Sequence, residues 1–121
     1  MAVDSTPEEI DAYHRSLGWS GIGYHMVCRQ EGKVYYVGDV GTKRANVYGR
    51  NGEVFGIVLS GDFGRYYPLP SQLAGVSRAI AFAKRLIGHP VSVVAHYEIA
   101  LPESPTACPG VTWPGWRELI I

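Results

Sequence analysis

The sequence has few cysteines and no long apolar run. Only Cys28 and Cys108 occur in 121 residues, which is too few for the disulfide framework of a small secreted domain. No stretch approaches the roughly 20 apolar residues that a membrane-spanning helix needs, so we expect no insertion into a membrane. No apolar secretory leader precedes Asp4, and we therefore expect synthesis in the reducing cytoplasm, without a signal peptide.

The chain also lacks an excess of charge of either sign. Eleven basic residues balance eleven acidic residues, which gives a net charge of +0 at pH 7. Nucleic acids and anionic lipid surfaces are usually bound through a concentration of Lys and Arg. The composition therefore argues against a nucleic-acid partner and favours a neutral or mixed-charge one.

The length and the pattern of the chain indicate one domain. Apolar residues make up 46% of the sequence, and 121 residues are enough to enclose a hydrophobic core. No internal repeat and no linker divides the chain. We predict a single domain over residues 1–121.

Two segments have the pattern of helices. Thr6, with Pro7 next and Glu9 three residues on, predicts a capping box and a helix from Pro7 to Leu17. A second helix is predicted from Pro70 to Gly88 by apolar residues at helical spacing. The apolar stripe of the first helix, expected to pack on a sheet, is Ile10, Tyr13 and Leu17.

Three further segments have the pattern of strands. "IGYHMVCRQEGKVYYVG" predicts a hairpin that turns at Glu31-Gly32, and "EVFGIVLS" predicts another strand. "VSVVAH" predicts a short buried strand that ends at His96, and a last helical turn is expected around "PGWRELI". Alternating strands and helices indicate an α/β fold in which helices flank a sheet.

His96 and Cys108 are the candidate metal ligands. Imidazole nitrogen and thiolate sulfur are ligands that zinc prefers, and a catalytic zinc usually takes three protein ligands. The alternative is a half-buried imidazole and an inert thiol. The spacing of these two residues matches no specific ligand motif, and spacing alone favours the alternative.

Several motifs in fixed order carry a resemblance to a known family. They are "HRSLGWSGIGYHMV", "ANVYGRN", "GIVLSGDF", "AHYE" and "TACPG". From about Thr6 to Trp116 the chain resembles the zinc-dependent N-acetylmuramoyl-L-alanine amidases, which include phage amidase-type endolysins and peptidoglycan recognition proteins. The resemblance implies a mixed central β-sheet flanked by helices and a site of action at the cell wall.

The resemblance also implies roles for single residues. His96 and Cys108 match two zinc ligands of the family, Tyr24 matches a residue that polarises the scissile carbonyl or its bound water, and Thr106 matches the oxyanion donor. The implied reaction is hydrolysis of the amide between N-acetylmuramic acid and L-alanine. Zinc would contribute by lowering the pKa of a bound water toward about 7 and by acting as a Lewis acid.

The implied partner is peptidoglycan or a muropeptide, and the irregular loop "ANVYGRN" is the candidate substrate contact. Its candidate residues are Asn46, Tyr48 and Asn51. At Asn46 the family places a His, and an amide can hydrogen-bond a sugar or peptide but cannot carry charge.

The family's remaining zinc ligand is a His in an "HHS" or "HHT" motif, which ends a first strand just before the segment matching "AVDSTPEEI". The chain has no counterpart of that strand, which indicates an N-terminally truncated amidase-like domain. We therefore expect weak or absent zinc binding and little hydrolysis. The alternative function is a non-catalytic module that binds muropeptide. A sheet without that strand also has an exposed edge, which predicts self-association.

Other side chains could replace the absent ligand, but a structural role is the simpler interpretation of each. We expect His14 and His25 to be packed, His89 to be a solvent-exposed turn residue and Cys28 to be a buried free thiol. Trp19 is expected to fill core volume.

Overall fold

The computed structural model describes residues 4–38, 54–103 and 105–121. Its sheet contains β1 (Met26–Cys28), β2 (Val34–Tyr36) and β3 (Ile57–Leu59), in the order β2-β1-β3. β1 pairs antiparallel with β2 and parallel with β3. The mixed sheet with flanking helices confirms the predicted fold class. No helix in these residues is long and apolar enough to cross a membrane.

The turn between β1 and β2 confirms the predicted hairpin. Gly32 has a φ of +92°, a conformation that residues with a Cβ rarely adopt. The N–H of Gly32 donates to the carbonyl oxygen of Arg29 at 2.9 Å, and the N–H of Arg29 donates to that of Lys33 at 2.9 Å. The glycine therefore allows the chain to reverse directly into β2.

Helix α1 (Pro7–Ser16) begins at the predicted capping box. The N–H of Glu9 donates to the Thr6 hydroxyl at 3.1 Å, and the N–H of Thr6 donates to the Glu9 carboxylate at 2.9 Å. Two of the backbone donors at the start of the helix are thereby satisfied.

The predicted apolar stripe of α1 is not buried on the sheet. Tyr13 is 62% exposed and Leu17 is 50% exposed, whereas His14 is 6% exposed. Ile10 and Tyr13 line an open groove beside β3. The prediction was wrong because the described sheet ends at β3 and places no further strand under this face of the helix.

Helix α2 (Pro70–Ile87) ends at Gly88, which has a φ of +78° and acts as a left-handed cap. The predicted core positions Val76, Ile80 and Ala83 are buried. Val76 and Ile80 pack in one cluster with Cys28 of β1, and Ala83 packs in a second cluster with Met26 of β1. This helix is the main support of the sheet.

The segment 91–95 was predicted to be a buried strand, and this prediction was wrong. Val91 is 38% exposed and Val94 is 43% exposed, and helix α3 (His96–Ile99) begins directly afterwards. Ala95 is extended and 3% exposed, but the described residues contribute no strand that pairs with this segment. An extended segment forms a ladder only with a hydrogen-bonded neighbour.

The predicted C-terminal helical turn is present as α4 (Trp113–Trp116), followed by a 3-10 helix at Arg117–Leu119. Trp113 and Trp116 are 4% and 1% exposed. The two indoles pack edge to face with ring centroids 4.8 Å apart. Together with Phe63 they close one end of the core.

Candidate functional site

The two candidate metal ligands lie on adjoining segments. His96 is the first residue of α3, and Cys108 lies in the loop that follows this helix. The N–H of Tyr97 donates to the carbonyl oxygen of Cys108 at 2.9 Å. This contact holds the backbone of Cys108 beside the start of α3, where His96 lies.

The protonation of both groups is shifted by the surrounding protein. Burial lowers the pKa of the half-buried His96 imidazole below its ordinary value, which favours the neutral ring. Cys108 is exposed as a residue, yet the protein atoms around its sulfur raise the pKa of the thiol by desolvation. A neutral imidazole can donate its lone pair to a metal, whereas the thiol must first lose its proton.

Thr106 is held in the same loop. Its Oγ1 accepts the N–H of Cys108 at 3.1 Å. A hydroxyl that accepts one hydrogen bond retains its own proton for donation. Thr106 therefore has a donor left for a ligand at this loop.

Tyr24 lies just before β1 and is half-buried. Burial is the main cause that raises the pKa of its phenol, and the negative charge that Cys108 would carry as a thiolate raises that pKa further. The second effect requires the two side chains to lie within electrostatic range of each other. At neutral pH the phenol is therefore protonated and can donate a hydrogen bond near Cys108.

A groove of about 540 Å³ opens between α1 and β3. Its lining contains Tyr24 but not His96 or Cys108, so of these three predicted site residues only Tyr24 faces the groove. Further lining residues are Ser5, Glu9, Ile10, His14, Val58 and Asp62. The mixture of apolar and polar groups suits a ligand with both characters.

The candidate ligands are of the chemical types that zinc prefers, but there are too few of them. His96 and Cys108 provide nitrogen and sulfur, as zinc prefers. In the described part of the chain, however, no three His, Cys, Asp or Glu side chains come together as a metal-binding group. His96 and Cys108 are therefore fewer than the three protein ligands that a catalytic zinc usually takes.

His25 has a structural role, as predicted. It is 1% exposed, and its Nδ1 accepts the N–H of Gly56 at 3.0 Å. Its ring stacks on Phe55 with centroids 4.5 Å apart. These contacts connect the start of β1 to the segment before β3.

His14 is also packed, as predicted, and His89 is exposed. Trp19, predicted to fill the core, is instead 38% exposed, although its ring packs on His14 with centroids 4.4 Å apart. The surface position of the loop after α1 leaves one side of the indole in contact with solvent.

Asp11 was not identified from the sequence as a residue that supports the site. Its Oδ1 accepts the N–H of Ile22 at 2.8 Å, which ties α1 to the loop that leads to Tyr24. Its position three residues before His14 places both side chains on one face of the helix, and this spacing could have identified Asp11 from the sequence.

Asn46, Tyr48 and Asn51, the predicted substrate contacts, lie outside the described residues.

A family model described as N-acetylmuramoyl-L-alanine amidase matches residues 2–111. The chain belongs to this amidase family. The family assignment agrees with the resemblance carried by the sequence motifs.

Two relatives illustrate the range of the family. The chain is 29% identical over 119 residues to a peptidoglycan-recognition protein of Drosophila melanogaster, covering 90% of this chain and 63% of that protein. It is 26% identical over 121 residues to an endolysin of Klebsiella phage KP32, covering 96% of this chain and 77% of that protein. The chain thus spans less than two thirds of the fly protein.

A solved structure supports the same fold. The N-acetylmuramoyl-L-alanine amidase LysC from Clostridium intestinale superimposes with a TM-score of 0.84 at 28% identity. The match covers 98% of this chain and 76% of LysC. The described elements therefore have the arrangement of an amidase domain.

Proposed function

We propose that this domain hydrolyses the amide between N-acetylmuramic acid and L-alanine in peptidoglycan, slowly and with weakly held zinc. The observation that carries the proposal is the 2.9 Å backbone hydrogen bond from Tyr97, the residue after His96, to Cys108, in a chain of the amidase family. Endolysin and amidase relatives support a site of action at the cell wall.

Tyr24 and Thr106 have the chemistry that the reaction requires. The neutral phenol of Tyr24 donates a hydrogen bond to the scissile carbonyl oxygen, and its raised pKa keeps the proton in place at neutral pH. The Thr106 hydroxyl stabilises the negative charge that develops on the same oxygen. Donors aimed at developing charge are among the largest contributions to acyl-transfer catalysis.

The incomplete donor set is the reason for the proposed weak metal binding. His96 and Cys108 supply two ligands, fewer than the three of an ordinary catalytic zinc site. Zinc measured by elemental analysis after dialysis against a mild chelator is expected to be well below one equivalent. One full equivalent retained after that dialysis contradicts weak binding.

The activity test compares the wild-type protein with two variants. A peptidoglycan suspension is incubated with each protein in the presence of added zinc, and turbidity and new amino termini on L-alanine are measured. The wild type is expected to release L-alanine termini slowly, and Tyr24→Phe and Cys108→Ser are expected to abolish the release. Lys84→Ala, at an exposed position on α2, serves as the control that retains activity.

Non-catalytic recognition of muropeptide is the second candidate function. The groove beside Tyr24 can bind a glycopeptide whether or not a metal is present. Cosedimentation with insoluble peptidoglycan, without release of L-alanine termini at any zinc concentration, favours recognition over hydrolysis. Asn46, Tyr48 and Asn51 are proposed substrate contacts, and Asn46→Ala is expected to weaken cosedimentation under either function.

We also propose self-association through β3. The N–H of Ser60 donates to the carbonyl oxygen of Cys28, and the carbonyl oxygen of Gly56 accepts from the N–H groups of His25 and Met26. Because successive residues of a strand direct their backbone groups to opposite sides, those of Ile57 and Leu59 point away from β1. Within the described residues this edge has no strand partner, and a net charge of +0 places no long-range repulsion between copies. Light scattering at micromolar protein concentrations is expected to give the mass of a dimer. A monomer mass at every micromolar concentration contradicts self-association.

A further inference from the structure

Two side chains of α1 hold consecutive backbone amides of the loop before β1. Asp11 Oδ1 accepts the N–H of Ile22 at 2.8 Å, and His14 Nδ1 accepts the N–H of Gly23 at 2.8 Å. Asp11 and His14 lie one helical turn apart, so both face the same loop. The residue that follows Gly23 is Tyr24.

His14 also contacts the Tyr24 ring directly. The two ring centroids are 5.5 Å apart, and Trp19 covers another side of His14 at 4.4 Å. His14 is 6% exposed, and both His14 and Tyr24 line the groove. One imidazole therefore fixes the backbone before Tyr24 and bounds the space available to its phenol.

The chain is anchored on the other side of Tyr24 as well. His25 Nδ1 accepts the N–H of Gly56 at 3.0 Å, which fixes the residue after Tyr24 to the segment before β3. The anchors at Gly23 and His25 leave Tyr24 little backbone freedom. The anchor at Gly23 is made by His14, whose side chain also contacts the Tyr24 ring.

We infer that His14 is a positioning residue that holds the backbone and the ring of Tyr24 in place by accepting the Gly23 N–H. The inference rests on the proposed function, because it gives a purpose to the placement of the Tyr24 hydroxyl. His14 itself touches neither substrate nor metal in this assignment. Placement matters because a small displacement of a catalytic donor lowers the rate substantially.

The contact requires a neutral imidazole, since a protonated Nδ1 is a donor and cannot accept the Gly23 N–H. Burial lowers the pKa of His14 below 6.5, and the nearby Asp11 carboxylate opposes this effect. The other charged or titratable groups nearby are Glu9, Tyr13 and Arg15 of α1, Tyr24, and Asp62 across the groove. The contact is therefore intact at pH 7 and is lost as the pH falls below 6.5 through the pKa of His14.

Two variants separate the hydrogen bond from the bulk of the ring. His14→Asn places Oδ1 near the position of Nδ1 and retains an acceptor, whereas His14→Phe retains a ring and removes the acceptor. We expect His14→Asn to keep kcat within about twofold of the wild-type value, since one such bond is retained. We expect His14→Phe to lower kcat at least about fivefold, the equivalent of one hydrogen bond of about 1 kcal/mol, with little change in KM. Equal kcat values for the two variants overturn the inference.

Nuclear magnetic resonance of the wild type supplies a test that does not depend on turnover. The Gly23 amide and the Tyr24 ring resonances are expected to shift together as the pH is lowered from about 7 through the pKa of His14, which burial places below 6.5. In His14→Asn the same resonances are expected to stay constant over that range. Wild-type resonances of Gly23 and Tyr24 that do not follow His14 overturn the inference.

The two measurements distinguish the inference from the proposed function. If the wild type releases no L-alanine termini and binds no peptidoglycan, the proposed function fails, and the coupled titration still decides whether His14 positions Tyr24. If the wild type is active and Tyr24→Phe is inactive, but the titration is uncoupled, the function stands and the inference fails.

Discussion

Gly32 in the hairpin turn and Gly75 in α2 are in direct backbone contact. A Cβ placed on Gly75 would clash with the carbonyl oxygen of Gly32. Arg78 of the same helix donates to that oxygen at 3.1 Å, and Ser71 donates to the carbonyl oxygen of Gln30 at 2.8 Å. The hairpin is therefore docked on α2 through its turn, which fixes how β1 enters the sheet.

Gly75→Ala is expected to destabilise the protein by about 1 to 3 kcal/mol, the usual cost of overpacking a close contact. Alanine improves helix propensity by about 1 kcal/mol, but the new Cβ meets backbone, which cannot rotate away. Urea unfolding measures the difference. Lys84→Ala on the exposed side of α2 is the control and should change stability by less than about 0.5 kcal/mol. A more stable Gly75→Ala protein contradicts the contact.

Gln72 links two strands from within the core. It is 0% exposed, and its Nε2 donates to the carbonyl oxygens of Cys28 and Ser60 at 3.0 Å each. Gln72→Met preserves the volume and removes both donors, so we expect a loss of about 1 to 3 kcal/mol on urea unfolding. The Gln72 Oε1 has no hydrogen-bond partner among the described atoms, so no third bond adds to the cost. Unchanged stability of Gln72→Met contradicts a role for Gln72 in joining β1 to β3.

The start of α1 gives a prediction that depends only on local structure. Thr6→Ala removes the hydroxyl that accepts the Glu9 N–H, and the typical cost of losing such a cap is about 1 kcal/mol. Thr6→Ser keeps the hydroxyl and should restore nearly all of that stability. Thermal unfolding followed by circular dichroism compares the three proteins. Equal losses in both variants contradict the capping assignment.

Elements with local causes were predictable from the sequence. The capping box at Thr6 and Glu9 determined the start of α1, Gly32 determined the hairpin turn, and the apolar spacing from Pro70 to Gly88 indicated α2. In each case the residues that determine the structure are neighbours in the chain. The bounds of these elements therefore follow from residues that are close in the sequence.

Elements with tertiary causes were not predictable. Residues 91–95 have strand composition, but pairing depends on a neighbouring strand that the described sheet does not supply. The same limit applies to the apolar stripe of α1, where Tyr13 and Leu17 are exposed, because the described sheet places no further strand under this face of the helix. At the candidate site, the spacing of His96 and Cys108 did not reveal their proximity, which depends on the Tyr97 contact.

The two cysteines are expected to differ sharply in reactivity. Cys28 is 0% exposed, and burial raises the pKa of its thiol to about 11. Cys108 is exposed, although the pKa of its thiol is also raised. At about pH 8 a disulfide reagent such as Ellman's reagent should modify one thiol per native molecule, because the thiolate of Cys28 is both scarce and inaccessible.

Cys108→Ser should remove this reaction, and denaturant should make both thiols of the wild type reactive. Two rapidly reacting thiols in the folded protein contradict the burial of Cys28. Added zinc is expected to slow the modification of Cys108 at millimolar concentration, because a metal-bound thiolate is shielded from the reagent. His96→Ala should abolish this protection if both residues hold the same ion. Protection that persists in His96→Ala assigns the zinc to Cys108 without His96, and the shared site is then wrong.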